Sequence, residues 1–195
     1  MEIRDIIEFF DRWAPVWDDD MIRNEPVIST ILDCAGIREG IDVLDVACGT
    51  GVLFPDYLDR DIASLTAIDI SPEMARIAKN KFPGIDVICG DVLTTDFSRQ
   101  FDSIVVYNAF PHFSDPGGLI SVLSNLLKPH GRLTIAHGMS REAINRHHNG
   151  RAQKVSTELM HENQLAELMA QWLNVDVKTA DTEKYIVSGY FVTQL

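Results

Sequence analysis

The residues that can do chemistry stand where apolar runs stop. In the stretch 41–53, IDVLDVACGTGVL, a run carrying Asp45, Val46 and Ala47 breaks into Cys48-Gly49-Thr50-Gly51 before another apolar pair. Apolar residues halted by Gly-rich sequence read as a buried strand entering a tight turn. Two glycines one residue apart admit positive φ and the close approach of a ligand. The first amides of a following helix then point at that ligand. Asp69 closes the next apolar run, 24 residues after Asp45, where a carboxylate can accept from both hydroxyls of a ribose. Gly90-Asp91-Val92 closes a third run, setting an acid beside a slot for adenine, and Tyr107-Asn108-Ala109-Phe110-Pro111-His112-Phe113 closes a fourth. These groups suit a nucleoside. They do not suit a phosphate: no Lys or Arg stands in the first turn, GxxxxGK[ST] is absent, and Phe54 replaces the third glycine of GxGxxG.

A second set of residues can move protons. Of six histidines, four fall where a substrate pocket is expected: His112 after the fourth run, His137 after the fifth, and His147-His148. Imidazole can take a proton from a hydroxyl or thiol near neutral pH, which makes His112 and His137 the candidate bases. The polar segment 137–148 offers Arg141, His147 and His148 as substrate contacts, with a solvated lid helix as the plain alternative. Adjacent histidines cannot share one helix face, so no metal is expected. The rings of Tyr107, Phe110 and Phe113 can steady a cationic centre or simply pack beneath the ligand. Trp13 and Trp17, in DRWAPVWDDD, read either as pins for a surface segment or as an aromatic lid contacting substrate.

The elements that must position these residues follow from periodicity. Ile3, Ile6, Ile7 and Phe10 lie at helical spacing, as do Val27, Ile28, Ile31 and Leu32 within 24–35, with Gly36 as the stop. After the Gly turn a helix is expected to about residue 60. Strands are expected at 65–70, 85–89, 101–107 and 132–136. Ser71-Pro72-Glu73 is a helix start, with a capping hydroxyl, a proline at the first position and an acid in the first turn. Further helices are expected at 118–127 and 162–172, a short helix or loop at 140–148, and closing strands at 175–179 and 184–192. Strand–helix alternation followed by a hairpin gives an α/β, doubly wound, mostly parallel seven-stranded sheet with a C-terminal antiparallel pair and helices on both faces. Ligands of such sheets sit beyond the carboxyl ends of the strands.

Composition narrows the partners. A chain of 195 residues is expected to form a single domain, 1–195, with a helical lid over 1–36 and an inserted cap over 137–161. Seventeen basic against 29 acidic residues give a net charge of -12, which repels bulk nucleic acid and favours a small-molecule substrate. Three cysteines without CxxC spacing, an N-terminus unlike a signal peptide and no long apolar run suggest a cytoplasmic protein without a membrane span, monomeric or homodimeric.

Taken in order, the motifs resemble a family. DVACGTG at 45–51 looks like motif I of the class I S-adenosylmethionine-dependent methyltransferases, which are Rossmann-like. DISPEM at 69–74 resembles their second motif, Gly90-Asp91-Val92 their third, FDSI at 101–104 with Asn108 their fourth, and LKPHGRL at 127–133 the turn into their fifth strand. FFDRWAPVWDDD and the ending DTEKYIVSGYF most resemble the small-molecule branch typified by ubiquinone and menaquinone C-methyltransferases. The sequence departs from the pattern at Ala47 and His130, where glycines are common. The resemblance implies S-adenosyl-L-methionine as cofactor. Asp45, Ala47, Gly49, Thr50 and Gly51 would hold its methionine part and Asp69 its ribose. Ile70, Met74, Asp91 and Val92 would hold its adenine, with Asn108 near the sulfonium. The expected reaction is methyl transfer to a hydroxyl, thiol, amine or activated carbon. An RNA or protein methyltransferase and a non-catalytic cofactor-binding subunit are the alternatives.

Overall fold

Alternation along the central strands builds two cores. The computed structural model describes residues 1–19, 21–148, 150 and 152–192. Asp20 of the acidic run, positions 149 and 151 of the expected cap and the last three residues lie outside the described residues. In β1 (Asp42–Val46) Leu44 and Val46 pack into one cluster, together with Ile104 and Val106 of β4 (Phe101–Tyr107). Val43 and Val105 pack into a second cluster on the opposite face. Successive strand side chains point to opposite faces, so a strand covered on both sides must be apolar throughout. The first face is covered by α5 (Pro116–Asn125) and α7 (Glu162–Met169), through Leu119, Leu123, Leu165 and Met169. The other face is covered by α2 (Glu25–Cys34), α3 (Phe54–Leu58) and α4 (Pro72–Lys81), through Ile28, Leu32, Phe54, Tyr57 and Ala78.

With β2 (Ser64–Asp69), β3 (Asp86–Cys89), β5 (Leu127–His137), β6 (Leu173–Ala180) and β7 (Tyr185–Phe191), the sheet runs β3-β2-β1-β4-β5-β7-β6. The first five strands pair in parallel, and β7 lies antiparallel between β5 and β6. Strand order reverses between β1 and β4, which makes their carboxyl ends the ligand crevice. The Gly turn, Asp69, Gly90-Asp91, Tyr107-Asn108 and His137 therefore share one edge of the sheet.

Local signals place the helix starts. Ser71 Oγ accepts from Met74 N, and Asn24 and Asp115 cap α2 and α5 through Val27 N and Gly118 N. Asp115 starts α5 before the residue expected from sequence. β5 begins at Leu127 rather than 132. Leu127 already pairs with Phe101, and Pro129-His130-Gly131 bulges out before the register resumes at Ser103 and Arg132. His130 has φ 63 there, the left-handed conformation that glycine takes freely. At the N-terminus α1 (Ile3–Trp13) continues into a single 3-10 turn at Ala14–Val16, and α6 (Arg141–His148) crosses the same sheet edge. No helix among the described residues is long and apolar enough to cross a membrane.

Candidate active site

The turn after β1 is held open by its own backbone. Ala47, Gly49 and Gly51 all have positive φ, at 55, 56 and 85. Gly51 admits nothing larger, since a Cβ there would come within 2.7 Å of the Phe54 ring. Phe54, the residue that breaks the dinucleotide pattern, fills that space itself and packs on Phe82 with centroids 5.2 Å apart. Asp69 then fastens the turn: its Oδ2 accepts from Gly49 N at 2.8 Å and its Oδ1 from Ser71 N at 2.9 Å. Each carboxylate oxygen keeps a second lone pair, which fits a vicinal pair of hydroxyl donors. Burial raises the Asp69 pKa to about 6, against the pull of the two amides. Asp45, 2% exposed, is pushed well above the usual range by burial and then by Asp69, so it suits a cationic partner. Asp91 is half-buried and accepts from Leu93 N at 2.9 Å, while Val92 and Met74 are buried beside it and at the start of α4. Together these groups form a socket of acceptors and apolar walls.

The N-terminal arm closes over this socket. Thr50 Oγ1 donates to Asp18 Oδ1 at 2.6 Å, and Lys81 Nζ donates to Asp18 Oδ2 at 2.8 Å. Trp17 Nε1 lies 4.0 Å from the place a Gly49 Cβ would take. Asp11 Oδ1 accepts from Ser71 Oγ at 2.5 Å and from Glu73 N at 3.1 Å, adding a second cap to α4. Arg23 secures the far end of the arm on Asp56 at 2.9 Å and on the Val52 carbonyl. Ile6, Phe9 and Phe10 pack with Ile70, Ala152 and Val155, so the arm and the segment after α6 meet over the crevice.

Beneath that contact lie three histidines. His112 is in T-shaped contact with Phe10, centroids 4.9 Å apart, and lies 5.1 Å from the His148 ring. Its Nδ1 is 2.7 Å from the Val155 carbonyl. A carbonyl can only accept, so Nδ1 carries the proton and Nε2 is left with a free lone pair. Burial holds His112 below its ordinary 6.5, opposed by the Val155 bond and aided by His147. His137 has no exposed surface, and burial followed by its neighbours His148 and His112 lowers it to about 3. His148, 8% exposed, is lowered to about 4, by burial first and then by His112 and His147. All three are neutral at physiological pH. Among the described residues no group of three or more His, Cys, Asp or Glu side chains is placed to hold a metal ion.

Not every residue singled out from sequence converges here. Tyr107 keeps the parity of Val105 and packs on Val27, Ile31 and Ala136, on the face opposite His137. Phe110 is 2% exposed within the core, with Phe113 packed against the same cluster. Both placements follow from packing. Asn108, at φ 54, accepts from Gly138 N at 2.9 Å and so ties the end of β4 to the end of β5. Arg141 is partly exposed beside Glu142, and His147 points outward. Trp13, on the last turn of α1, is half-buried. Phe10, Asp11, Asp18, Lys81 and Tyr185 were missed from sequence. Asp18 had a signal, an acid directly after the tryptophans; Tyr185 had none, being one aromatic in a strand.

The comparisons with known proteins agree with this geometry. A family described as methyltransferase domain matches residues 43–131. The malonyl-[acyl-carrier protein] O-methyltransferase of Acetivibrio thermocellus is 32% identical over 132 residues, 65% of this chain and 47% of that protein. The demethylmenaquinone methyltransferase of Renibacterium salmoninarum is 28% identical over 138 residues, 68% of this chain and 58% of that one. The chain thus spans about half the length of these curated relatives. The crystal structure of N-methyltransferase NodS from Bradyrhizobium japonicum WM9, in complex with S-adenosyl-L-homocysteine, covers 95% of this chain and 98% of its own with a TM-score of 0.73 and 16% identity, a likeness of fold. Over residues 43–131 the chain is thus similar to a methyltransferase domain, and the motif order and strand order agree with that likeness.

Proposed function

We propose that the protein transfers a methyl group from S-adenosylmethionine to a small, uncharged acceptor, with His112 Nε2 taking the acceptor's proton. The cofactor fits the socket on the chemistry of its donors. Asp69 offers two lone pairs to ribose hydroxyls and Asp45 a buried carboxyl to an ammonium, while Asp91 offers an acceptor to an adenine amino group, with Val92, Met74 and Ile70 as walls. When bound, the cofactor supplies an activated methyl on a sulfonium for in-line displacement. The chain's own part is then to position, to exclude water and to remove a proton. Trp17, Phe10 and the bonds of Asp18 hold the arm over the crevice.

The observation that carries the base assignment is the 2.7 Å contact from His112 Nδ1 to the Val155 carbonyl, which fixes the tautomer and frees Nε2. His137 is a far weaker base at about 3 and serves here as a hydrogen-bonding group. We assign Trp13, Arg141 and His148 to the acceptor side, and leave out His147, which points outward. The net charge of -12 supports a small acceptor over a polyanion. Of the expected lid over 1–36 only the arm before α2 serves as lid, because α2 packs into the core, and of the expected cap over 137–161 His137 belongs to β5; the rest caps a single cytoplasmic domain, working as monomer or homodimer. The test is transfer of labelled methyl to a panel of phenols and thiols: His112→Gln should lower kcat by roughly 10²–10⁴ with cofactor affinity unchanged. Equal rates in variant and wild type would remove the base assignment.

A further inference from the structure

The floor of the crevice carries polar atoms that nothing in the fold uses. His137 ends β5 and Tyr185 begins β7, and the two are direct cross-strand partners with ring centroids 6.0 Å apart. Neither residue has any exposed surface. His137 Nδ1 and Nε2, Tyr185 Oη and His148 Nδ1 are all buried without a hydrogen-bond partner. Buried polar groups are nearly always paired, and each unpaired one costs about 1–3 kcal/mol. Several in one patch, on neighbouring elements, are an expensive arrangement that phenylalanine or leucine in the same positions would avoid. Their place is the strand edge where the acceptor must lie, and the His148 ring stands beside His112.

We propose that His137, Tyr185 and His148 form the recognition site for an uncharged oxygen group of the methyl acceptor, a hydroxyl or carbonyl, and not for a carboxylate, phosphate or ammonium. A neutral imidazole has one donor and one acceptor nitrogen, and a phenol hydroxyl both donates and accepts. The set therefore complements a group that can do both. The aromatic roof of Phe10 and Trp17, with rings 5.6 Å apart, suits a flat body behind the oxygen. Burying a charge on such a floor would carry a large desolvation penalty.

This assignment rests on the proposed methyl transfer, and phenol with S-adenosylhomocysteine separates the two. The protein, saturated with S-adenosylhomocysteine, is titrated with phenol, benzoate and benzylamine while the imidazole nitrogens of ¹⁵N-histidine-labelled protein are followed by NMR. Phenol should bind saturably and shift the His137 and His148 nitrogens, and benzoate and benzylamine should bind more weakly. Tyr185→Phe should weaken phenol roughly fivefold, the worth of one neutral hydrogen bond. It should leave S-adenosylhomocysteine affinity unchanged and thermal stability equal or higher, because it deletes an unpaired hydroxyl. If S-adenosylhomocysteine binds and phenol leaves the imidazole nitrogens unmoved, the recognition site is wrong and the cofactor reading stands. If Tyr185→Phe is destabilised and binds phenol as wild type does, trapped water satisfies the cluster and the proposal falls. Failure to bind S-adenosylhomocysteine would instead strike the cofactor reading.

Discussion

Replacing Asp69 with asparagine separates what that side chain does for the ligand from what it does for the fold. The carboxylate is 7% exposed and accepts one amide on each oxygen, yet its pKa is raised from 3.8 to about 6. The sign follows directly. The unfolded chain releases this proton near pH 4 and the folded chain only near pH 6. Stability that is full below pH 4 is therefore lost as pH rises through 6. At 1.36 kcal/mol per pKa unit, ionising Asp69 costs the folded state about 3 kcal/mol at pH 7.5. Asp69→Asn removes that cost. Its carbonyl still accepts one amide, and its NH₂ leaves the other unpaired at about 1–3 kcal/mol. The two effects nearly cancel, so the ligand-free variant should melt within about 4 °C of wild type. Cofactor binding does not cancel. Two ribose hydroxyls on a carboxylate are worth about 1.5–3 kcal/mol each, and an amide oxygen recovers about 1, so Kd for S-adenosylhomocysteine should rise roughly 10²–10³-fold. Calorimetric titration at pH 7.5 beside a melting curve reads both. Wild-type affinity should also weaken below pH 6, while the variant stays flat. A variant with Kd within tenfold of wild type would refute the ribose assignment, and a large drop in melting temperature would refute the buried-charge reasoning.

Other perturbations test other parts of the account. Ala47→Gly relieves a left-handed backbone at φ 55 and should stabilise by up to about 1 kcal/mol, read in a urea melt; a less stable variant would contradict the strain. Asp18→Ala cuts the arm from Thr50 and Lys81 and should speed S-adenosylhomocysteine release roughly tenfold in stopped flow, with stability little changed because the Lys81 pair is solvent-exposed; an unchanged off-rate would detach the arm from cofactor retention. His137 binds a proton near 6.5 when unfolded and near 3 when folded, so its share of stability, full above pH 6.5, fades as pH falls. Between pH 7 and 5 that share is about 2 kcal/mol. His137→Phe should lose that much less over the interval, and identical pH slopes would show that His137 is not buried neutral.

How much of this was legible in the sequence divides by range of interaction. Runs such as VLDV and IVVY could only be strands covered on both faces, and Ser71-Pro72-Glu73 could only start a helix, because short-range sterics and capping decide them. The gathering of the three acids was legible for the same reason: Asp69 ends β2, Asp45 and Asp91 lie within two residues of the ends of β1 and β3, and parallel strands end on one edge. The acceptor side depends on contacts between distant segments, which no local pattern records. Tyr107 and His137 both close strands, yet the alternation of each strand sends their side chains to opposite faces. The partner of His112 is a backbone carbonyl 43 residues away, for which Val155 gives no sequence signal. Tyr185 acquires its meaning only from β7 inserting beside β5. Even the short helix α3 shows the limit, since Phe54 turns back onto Gly51 and Phe82 instead of extending the helical face.

The most direct test is a crystal structure of the protein with S-adenosylhomocysteine. The account predicts both ribose hydroxyls on Asp69, the adenine beside Asp91 and Val92, and the sulfur turned toward the face that holds His112 Nε2, beneath Phe10 and Trp17. A ribose held away from Asp69, or a sulfur directed to the Tyr107 face of the sheet, would contradict it.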